Sequence, residues 1–327
     1  MTKSQNKNLH KAKNPGKRYE KYSITSLFSG CGGLDLGFHG GFKFLQKDYT
    51  RLKFETVYAN DIDKNACITF QKNFCKDIIC SDINTLDIAK LQYTDIVTGG
   101  FPCQDFSHAG KRLGFDTERG KLYKSMCNVI NHIKPKLFLA ENVKGLLTID
   151  DSKAIQTIVK DFENLGYNIT YKLLKVSDFE VSQKRERVII IGTKKDILPK
   201  FNFDVMQINK ASPVYDIIKD LEHYEEGCIS NHKWSKAKMN KGQGNSTIDK
   251  NDFAPTMRAE HHGNIEFHYN GKRRLSAREA ARIQSFPDDF IFYPSTSSAY
   301  KQIGNAVPPV FAWHIANEIQ RFLDNNL

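Results

Sequence analysis

The sequence predicts an open α/β fold joined to a smaller, loop-rich module, and three observations carry that reading. Short apolar, β-branched runs alternate with helical patterns from Ile24 to Gly192. The first run, Ile24-Thr25-Ser26-Leu27-Phe28, feeds directly into the glycine-rich turn Ser29-Gly30-Cys31-Gly32-Gly33 and a helix start. Several runs end in polar residues, which in open α/β sheets form the ligand-binding edge. From about Thr193 to Gly271 the alternation stops, and Lys, Asn, His and Gly interleave with recurring Tyr, Trp and Phe. This stretch reads as an ordered, loop-rich unit.

Each element has a local cause. Residues 1–20, with Lys3, Lys7, Lys11, Lys13, Lys17 and Arg18 around Asn14-Pro15-Gly16, read as a disordered basic arm. Beside the glycine turn, Phe28 would offer a ring face to a planar ligand; the turn alone is equally a tight structural bend. A second strand, Glu55–Ala59, ends in Asn60-Asp61-Ile62-Asp63. There Asp61 has the position of a sugar-binding acid, Ile62 could pack on a base, and Asp63 could cap the helix from Lys64 to Phe74. A third run, Ile78-Ile79-Cys80, leads to Ser81-Asp82-Ile83. The run Thr94–Thr98 reads as a buried parallel strand, and it opens the loop Gly99-Gly100-Phe101-Pro102-Cys103-Gln104-Asp105-Phe106-Ser107.

After that loop, Leu122, Met126, Val129, Ile130 and Ile133 mark one helix face. Leu137–Ala140 is a fourth strand, ending in Glu141-Asn142-Val143. A core-facing helix with Ala154, Ile155, Ile158, Val159, Phe162 and Leu165 stops at Gly166, followed by the runs Tyr171–Val176 and Gln183–Gly192. In the latter, Arg185 and Arg187 point the same way at strand spacing. Near the C-terminus Ser276 and Glu279 form a capping-box pattern. Pro308-Pro309 suits the start of a last helix whose buried face is Val310, Trp313, Ile319 and Phe322.

Composition bounds the function. The 327 residues suffice for one large domain with a smaller partner, or for two. With 40% hydrophobic residues and a mean hydropathy of -0.51, the chain reads as a soluble protein, and no apolar run approaches the ~20 residues that span a bilayer. The polar, basic N-terminus lacks a signal-peptide core. Seven cysteines without framework spacing argue for a reducing compartment. No metal is expected: Cys67, Cys75 and Cys80 lack a completing cluster, and His261-His262 reads as a hydrogen-bonding loop. A net charge of +11 favours a polyanionic partner.

From its loop alone, Cys103 is as well read as a buried structural cysteine as a nucleophile. Glu141 at the next strand end, with two arginines beyond it, favours the nucleophile. Together the segments Phe28–Gly33, Gly100–Gln104, Glu141–Val143, Gln183–Arg187, Arg274–Glu279 and Gly304–Val307 resemble, in order, those of the DNA (cytosine-5) methyltransferases. The likeness covers most of the chain outside the arm and the loop-rich module. One departure is Ser26, where the family often carries an acid.

The resemblance implies a Rossmann-like S-adenosylmethionine-dependent methyltransferase fold of the α/β class, with a smaller, loop-rich target-recognition domain. The implied boundaries are the arm 1–20, a catalytic and cofactor-binding domain 21–195 completed by 300–327, and a recognition domain 196–299. Phe28 and Ile62 would sandwich the adenine of S-adenosyl-L-methionine, Asp61 would bind its ribose and Asp82 its amino group. The Gly30–Gly33 backbone with Asn305 and Ala306 would close on the methionine end, and Ser29, Cys31, Ile83 and Pro102 complete that set. Cys103 would add to C6 of cytosine, and Glu141 would hold N3 and the exocyclic amine. Arg185 and Arg187 would position the base's O2, the Cys103 loop and the backbone, while Gly100, Phe101, Gln104 and Ser107 would line the substrate side.

The partner so implied is double-stranded DNA, with its cytosine flipped out of the helix. No membrane and no obligate protein partner is expected, and the enzyme reads as a cytoplasmic monomer of prokaryotic restriction–modification type. The alternatives are a tRNA cytosine-5 methyltransferase of the same fold, a catalytically silent nucleic-acid-binding module, and a cysteine hydrolase, which lacks an evident histidine partner.

Overall fold

The computed structural model describes residues 21–102, 121–149, 151–238, 246–259 and 265–327. Cys103, Gln104, Ser107, the basic arm and His261-His262 lie outside the described residues.

Strand β1 (Tyr22–Leu27) leads to helix α1 (Gly33–His39), and a small antiparallel hairpin, β2 (Phe42–Phe44) and β3 (Lys47–Tyr49), follows. Then come β4 (Phe54–Asp61), α2 (Lys64–Phe74), β5 (Ile79–Cys80), β6 (Ile96–Gly99), α3 (Lys121–Ile133), β7 (Leu137–Val143) and α4 (Lys153–Asn164). Strands β8 (Tyr167–Lys175) and β9 (Glu186–Lys194) close the series. Among the described residues seven strands form one sheet, in the order β5-β4-β1-β6-β7-β9-β8. β5, β4, β1, β6 and β7 are mutually parallel, whereas β9 runs antiparallel to both β7 and β8. That reversal has a simple cause. Only the short segment 176–185 joins β8 to β9, and a parallel neighbour needs a crossover of about a dozen residues or more.

Side-chain alternation splits the core between the two faces of the sheet. Ile96, Leu137, Leu139, Ile189 and Ile191 face one side; Val97, Phe138, Ala140, Val188 and Ile190 face the other, against Val129 and Ile130 of α3 and Ile155 and Ile158 of α4. The first face is covered by α1 and by the C-terminal part of the chain: α5 (Val214–Ile218), α6 (Ala277–Ile283), α7 (Thr296–Asn305) and α8 (Pro309–Asn326). The apolar core there runs unbroken from Ile24 through Val214, Met257, Leu275 and Phe311. Helix α6 starts on the capping box formed by Ser276 and Glu279. On α8, Val310 and Ile319 are buried, with Trp313 and Phe322 packed more loosely beside them. α8 lies on α1 so closely that a Cβ on Gly37 would fall 2.3 Å from the Ala312 Cβ.

No helix among the described residues is long and apolar enough to cross a membrane.

Candidate active site

The carboxyl ends of β1, β4, β5, β6 and β7 share one edge, and the register decides what meets there. Leu27 pairs with both Asn60 and Gly99, so the glycine turn opens between Asp61 and Gly100. The turn needs glycine: Gly30 and Gly32 sit at φ of 56° and 93°, a region other residues rarely adopt. A Cβ at Gly33 would lie 2.3 Å from the Val307 carbonyl oxygen, so the C-terminal return closes directly on the turn.

Asp61 braces the turn from the neighbouring strand. Its Oδ2 accepts from the Gly30 N–H at 2.7 Å and its Oδ1 from the Asp63 N–H at 2.8 Å. Burial pushes its carboxyl above the usual range, against the pull of those N–H groups. Asp63 caps α2, accepting from the Asn65 and Ala66 N–H groups, as the sequence predicts. Ile62 is 67% exposed. Phe28 is partly buried on the core of the second face. At the end of β5, Asp82 caps a short 3-10 turn through the Asn84 N–H at 2.9 Å, whereas Ile83 is buried in the core. The Cys31 thiol is buried and pushed up to about 12, which leaves it an inert packing group.

The second half of the edge carries Glu141. Gly99 pairs with Ala140, which places Gly100 beside Glu141; a Cβ at Gly100 would stand 3.0 Å from Glu141 Oε2. Asn142 Nδ2 donates to the Phe101 carbonyl at 3.0 Å and fixes the backbone just before Pro102 and Cys103. Arg187, opposite Val143 on β9, brings Nε to 2.7 Å from Glu141 Oε1, a diagonal pair across the two strands. Burial pulls the Arg187 guanidinium below its usual range, and Glu141 works against that.

Of the roles expected for Arg185 with Arg187, the base's O2, the Cys103 loop and the backbone, the structure places Arg185 on backbone. It is fully buried, Nη1 donating to the Met257 carbonyl at 3.0 Å and Nη2 to those of Gly304 at 3.1 Å and Ala306 at 3.2 Å. Arg185 precedes β9, where the chain turns under the C-terminal return, so its guanidinium meets backbone and no open cleft. Gln183 and Gln284 complete this brace. Gln183 Nε2 donates to Gln284 Oε1, Gln183 Oε1 accepts from the Met257 N–H at 3.0 Å, and Gln284 Nε2 donates to the Ala306 carbonyl at 2.7 Å. Asn305 is exposed and Ala306 half-buried at this corner.

A strand-end carboxylate paired to an arginine, beside a Pro-Cys loop and a glycine turn, is suited to a reaction on a small planar substrate. The comparisons decide its class. Residues 22–321 match the family model for the C-5 cytosine-specific DNA methylases.

The chain belongs to this family.

The Type II methyltransferase M.NgoFVII of Neisseria gonorrhoeae is 37% identical over 352 residues, covering 94% of this chain and 88% of that protein. M.FnuDI of Fusobacterium nucleatum is 35% identical, covering 92% and 94%. In fold the methylase is similar to the S. pombe Dnmt2 methyltransferase, with a TM-score of 0.70 at 18% identity over 93% of this chain and 99% of that one. This methylase is therefore a DNA (cytosine-5-)-methyltransferase of restriction–modification type. Asn142 and the Gln183–Gln284 link had no role in the sequence reading. Asn142 lay inside the Glu-Asn-Val motif, but Gln284 follows α6 and its partners are distant in the chain. Among the described residues no group of three or more His, Cys, Asp or Glu side chains could hold a metal ion.

Proposed function

We propose that this methylase transfers a methyl group from S-adenosyl-L-methionine to C5 of a cytosine flipped out of a short, specific duplex DNA sequence, through a covalent bond between Cys103 and C6. The observation that carries the reading is the Glu141–Arg187 pair beside Gly100, with Asn142 anchoring the backbone that leads to Cys103.

The methyl donor's shape fits the other half of the edge. A Cβ at Gly30 would meet nothing within 4 Å, so the turn faces open space. Ile62 and Phe28 offer apolar surface to an adenine. Each Asp61 oxygen uses one lone pair on a backbone N–H and keeps another for a ribose hydroxyl, and Asp82 is free to accept from an amine at its second oxygen. When bound, S-adenosyl-L-methionine supplies the electrophilic methyl that C5 takes.

The protein's own residues make C5 able to take it. The Cys103 thiolate forms a bond to C6, and the C5–C6 π electrons move onto the ring toward N3. Glu141, as the acid, gives or shares a proton at N3 and accepts from the exocyclic amine, so the ring carries no uncompensated charge. Arg187, whose Nη1 donates to the Glu186 carbonyl at 2.8 Å, holds the Glu141 carboxyl in place through Nε. After methylation a base or water removes the C5 proton, the C5–C6 double bond re-forms and the Cys103 thiolate leaves. Residues 196–299 are proposed as the target-recognition part, tied to the site where Arg185 and Gln183 grip Met257.

The test is trapping. Duplex DNA carrying 5-fluorocytosine at the target has no C5 proton to lose, so the wild-type enzyme should form a denaturation-resistant complex, and Cys103→Ser should form none while still binding S-adenosylhomocysteine. Methyl transfer by Cys103→Ser, or absence of the complex with an active enzyme, would overturn the covalent route.

A further inference from the structure

We propose that Asp35 is a positioning residue for the methyl-donor site, holding through Ser26 and Thr56 the two strands whose ends carry the glycine turn and Asp61. The inference rests on the donor-binding reading above.

Asp35 lies in the first turn of α1, is 2% exposed, and points its carboxylate back at the sheet. Oδ2 accepts from Ser26 Oγ of β1 at 3.1 Å, and Oδ1 accepts from Thr56 Oγ1 of β4 at 2.8 Å. A hydroxyl has one proton, so Ser26, having given its own to Asp35, can only accept from Ser29 Oγ at 3.0 Å; the single Ser29 proton is shared with the Ser26 carbonyl at 3.0 Å and the Asn60 carbonyl at 3.3 Å. Ser29 is the first residue of the glycine turn: its N–H donates to the Asn60 carbonyl and its own carbonyl accepts from the Gly32 N–H. On the other side, His39 Nε2 accepts from the Thr56 N–H at 3.0 Å, so this nitrogen carries no proton and Thr56 Oγ1 can commit its own to Asp35.

One carboxylate therefore fixes the Ser26 and Thr56 hydroxyl protons within a buried hydrogen-bond chain. That chain runs from β4 through α1 to the turn, and β4 ends in Asp61, which holds the Gly30 N–H. Among the described residues no Lys or Arg pairs with Asp35. Burial raises its carboxyl pKa to about 6, against the pull of the Thr56 and Ser26 hydroxyls. A buried charge without a cation is costly, and apolar residues of the same size would pack as well without that cost. Its placement next to the turn gives the charge a use: it fixes the polarity and spacing of groups around the donor.

The test measures S-adenosylhomocysteine binding by calorimetry, together with duplex DNA affinity and the split of KM for the donor against kcat. It compares wild type, Asp35→Asn, Ser26→Ala, and the exchange Ser26→Asp with Asp35→Ser. Asparagine must donate to one of the two hydroxyls, so one link reverses. Asp35→Asn should weaken binding roughly tenfold, acting on KM for the donor more than on kcat, and Ser26→Ala should weaken it by a smaller factor. Both should leave DNA affinity unchanged, and the exchange should recover most of the loss. Wild-type binding by both single variants would overturn the inference alone. Loss that the exchange does not restore would also overturn it, since Asp35 would then be a packing residue. Failure of the wild type to bind would overturn the donor-site reading itself. If Asp35→Asn does not fold, Ser26→Ala and the exchange decide.

Discussion

Arg187 Nε stands 2.7 Å from Glu141 Oε1, with both side chains nearly covered by protein. The pair joins β7 to β9 and leaves the second carboxylate oxygen, Oε2, beside Gly100. Arg187→Ala would strand that carboxylate, and leaving a buried charge unpaired costs about 3–5 kcal/mol. Methyl transfer in a single-turnover assay should fall at least ~100-fold, the usual contribution of a positioned acid. Arg187→Lys, which keeps the charge but loses the planar fork, should fall between. Near-normal turnover by Arg187→Ala would show that Glu141 does not depend on it.

Asn142 tests whether the backbone before Cys103 must be held. Its Nδ2 donates to the Phe101 carbonyl and its Oδ1 accepts from the Val143 N–H. Asn142→Ala leaves that buried carbonyl unpaired, worth about 1–3 kcal/mol, so kcat should drop roughly tenfold with S-adenosylhomocysteine affinity unchanged. Asn142→Asp should be worse, because it sets carboxylate oxygen against carbonyl oxygen. Equal activity of the two variants would contradict this account.

Where interactions are local, these features were legible in the sequence. The glycine turn, the Asp63 cap, the Ser276–Glu279 capping box and the strand ends at Asp61 and Glu141 each depend on residues a few positions apart, and the structure carries all of them. The antiparallel placement of β9 depends on loop length, which the apolar pattern does not express. Which backbone Arg185 holds was hidden for a related reason: at strand spacing it looks like Arg187, and only the folded chain brings Met257 and Gly304 under its guanidinium. Asp35 had a faint signal, an acid between Leu34 and Phe38 on a short helix, but its partners on β1 and β4 come from strand pairing.

Gly37 permits the α1–α8 crossing. A methyl group there would lie 2.3 Å from the Ala312 Cβ and 2.6 Å from the Pro309 carbonyl oxygen. Two helices would have to separate, and overpacking of this kind costs about 1–3 kcal/mol or more. Gly37→Ala should lower Tm by several degrees, roughly 2–4 °C per kcal/mol. Because α8 follows Asn305 and Ala306, donor affinity should fall with it. An unchanged melting curve would mean that the helices adjust freely.

Glu180 links the β2–β3 hairpin to α8 and supplies a pH signature. Its carboxylate accepts from Lys47 Nζ at 2.6 Å and contacts His314 Nε2 at 2.8 Å. Burial raises the carboxyl, but the bonds to His314 and Lys47 outweigh it and hold the pKa at about 2, against an ordinary 4.5. A carboxyl depressed on folding stabilises the protein above its unfolded pKa, and that stability is lost as pH falls through the folded one. Glu180→Gln should therefore be less stable than wild type at pH 7, by up to about 3 kcal/mol. The gap should hold down to about pH 4.5 and close progressively toward pH 2, as the wild type takes up the proton. Denaturant unfolding of both proteins across that range measures it directly. A gap that stays constant from pH 7 to pH 2 would assign the loss to packing, with no role for the Glu180 charge.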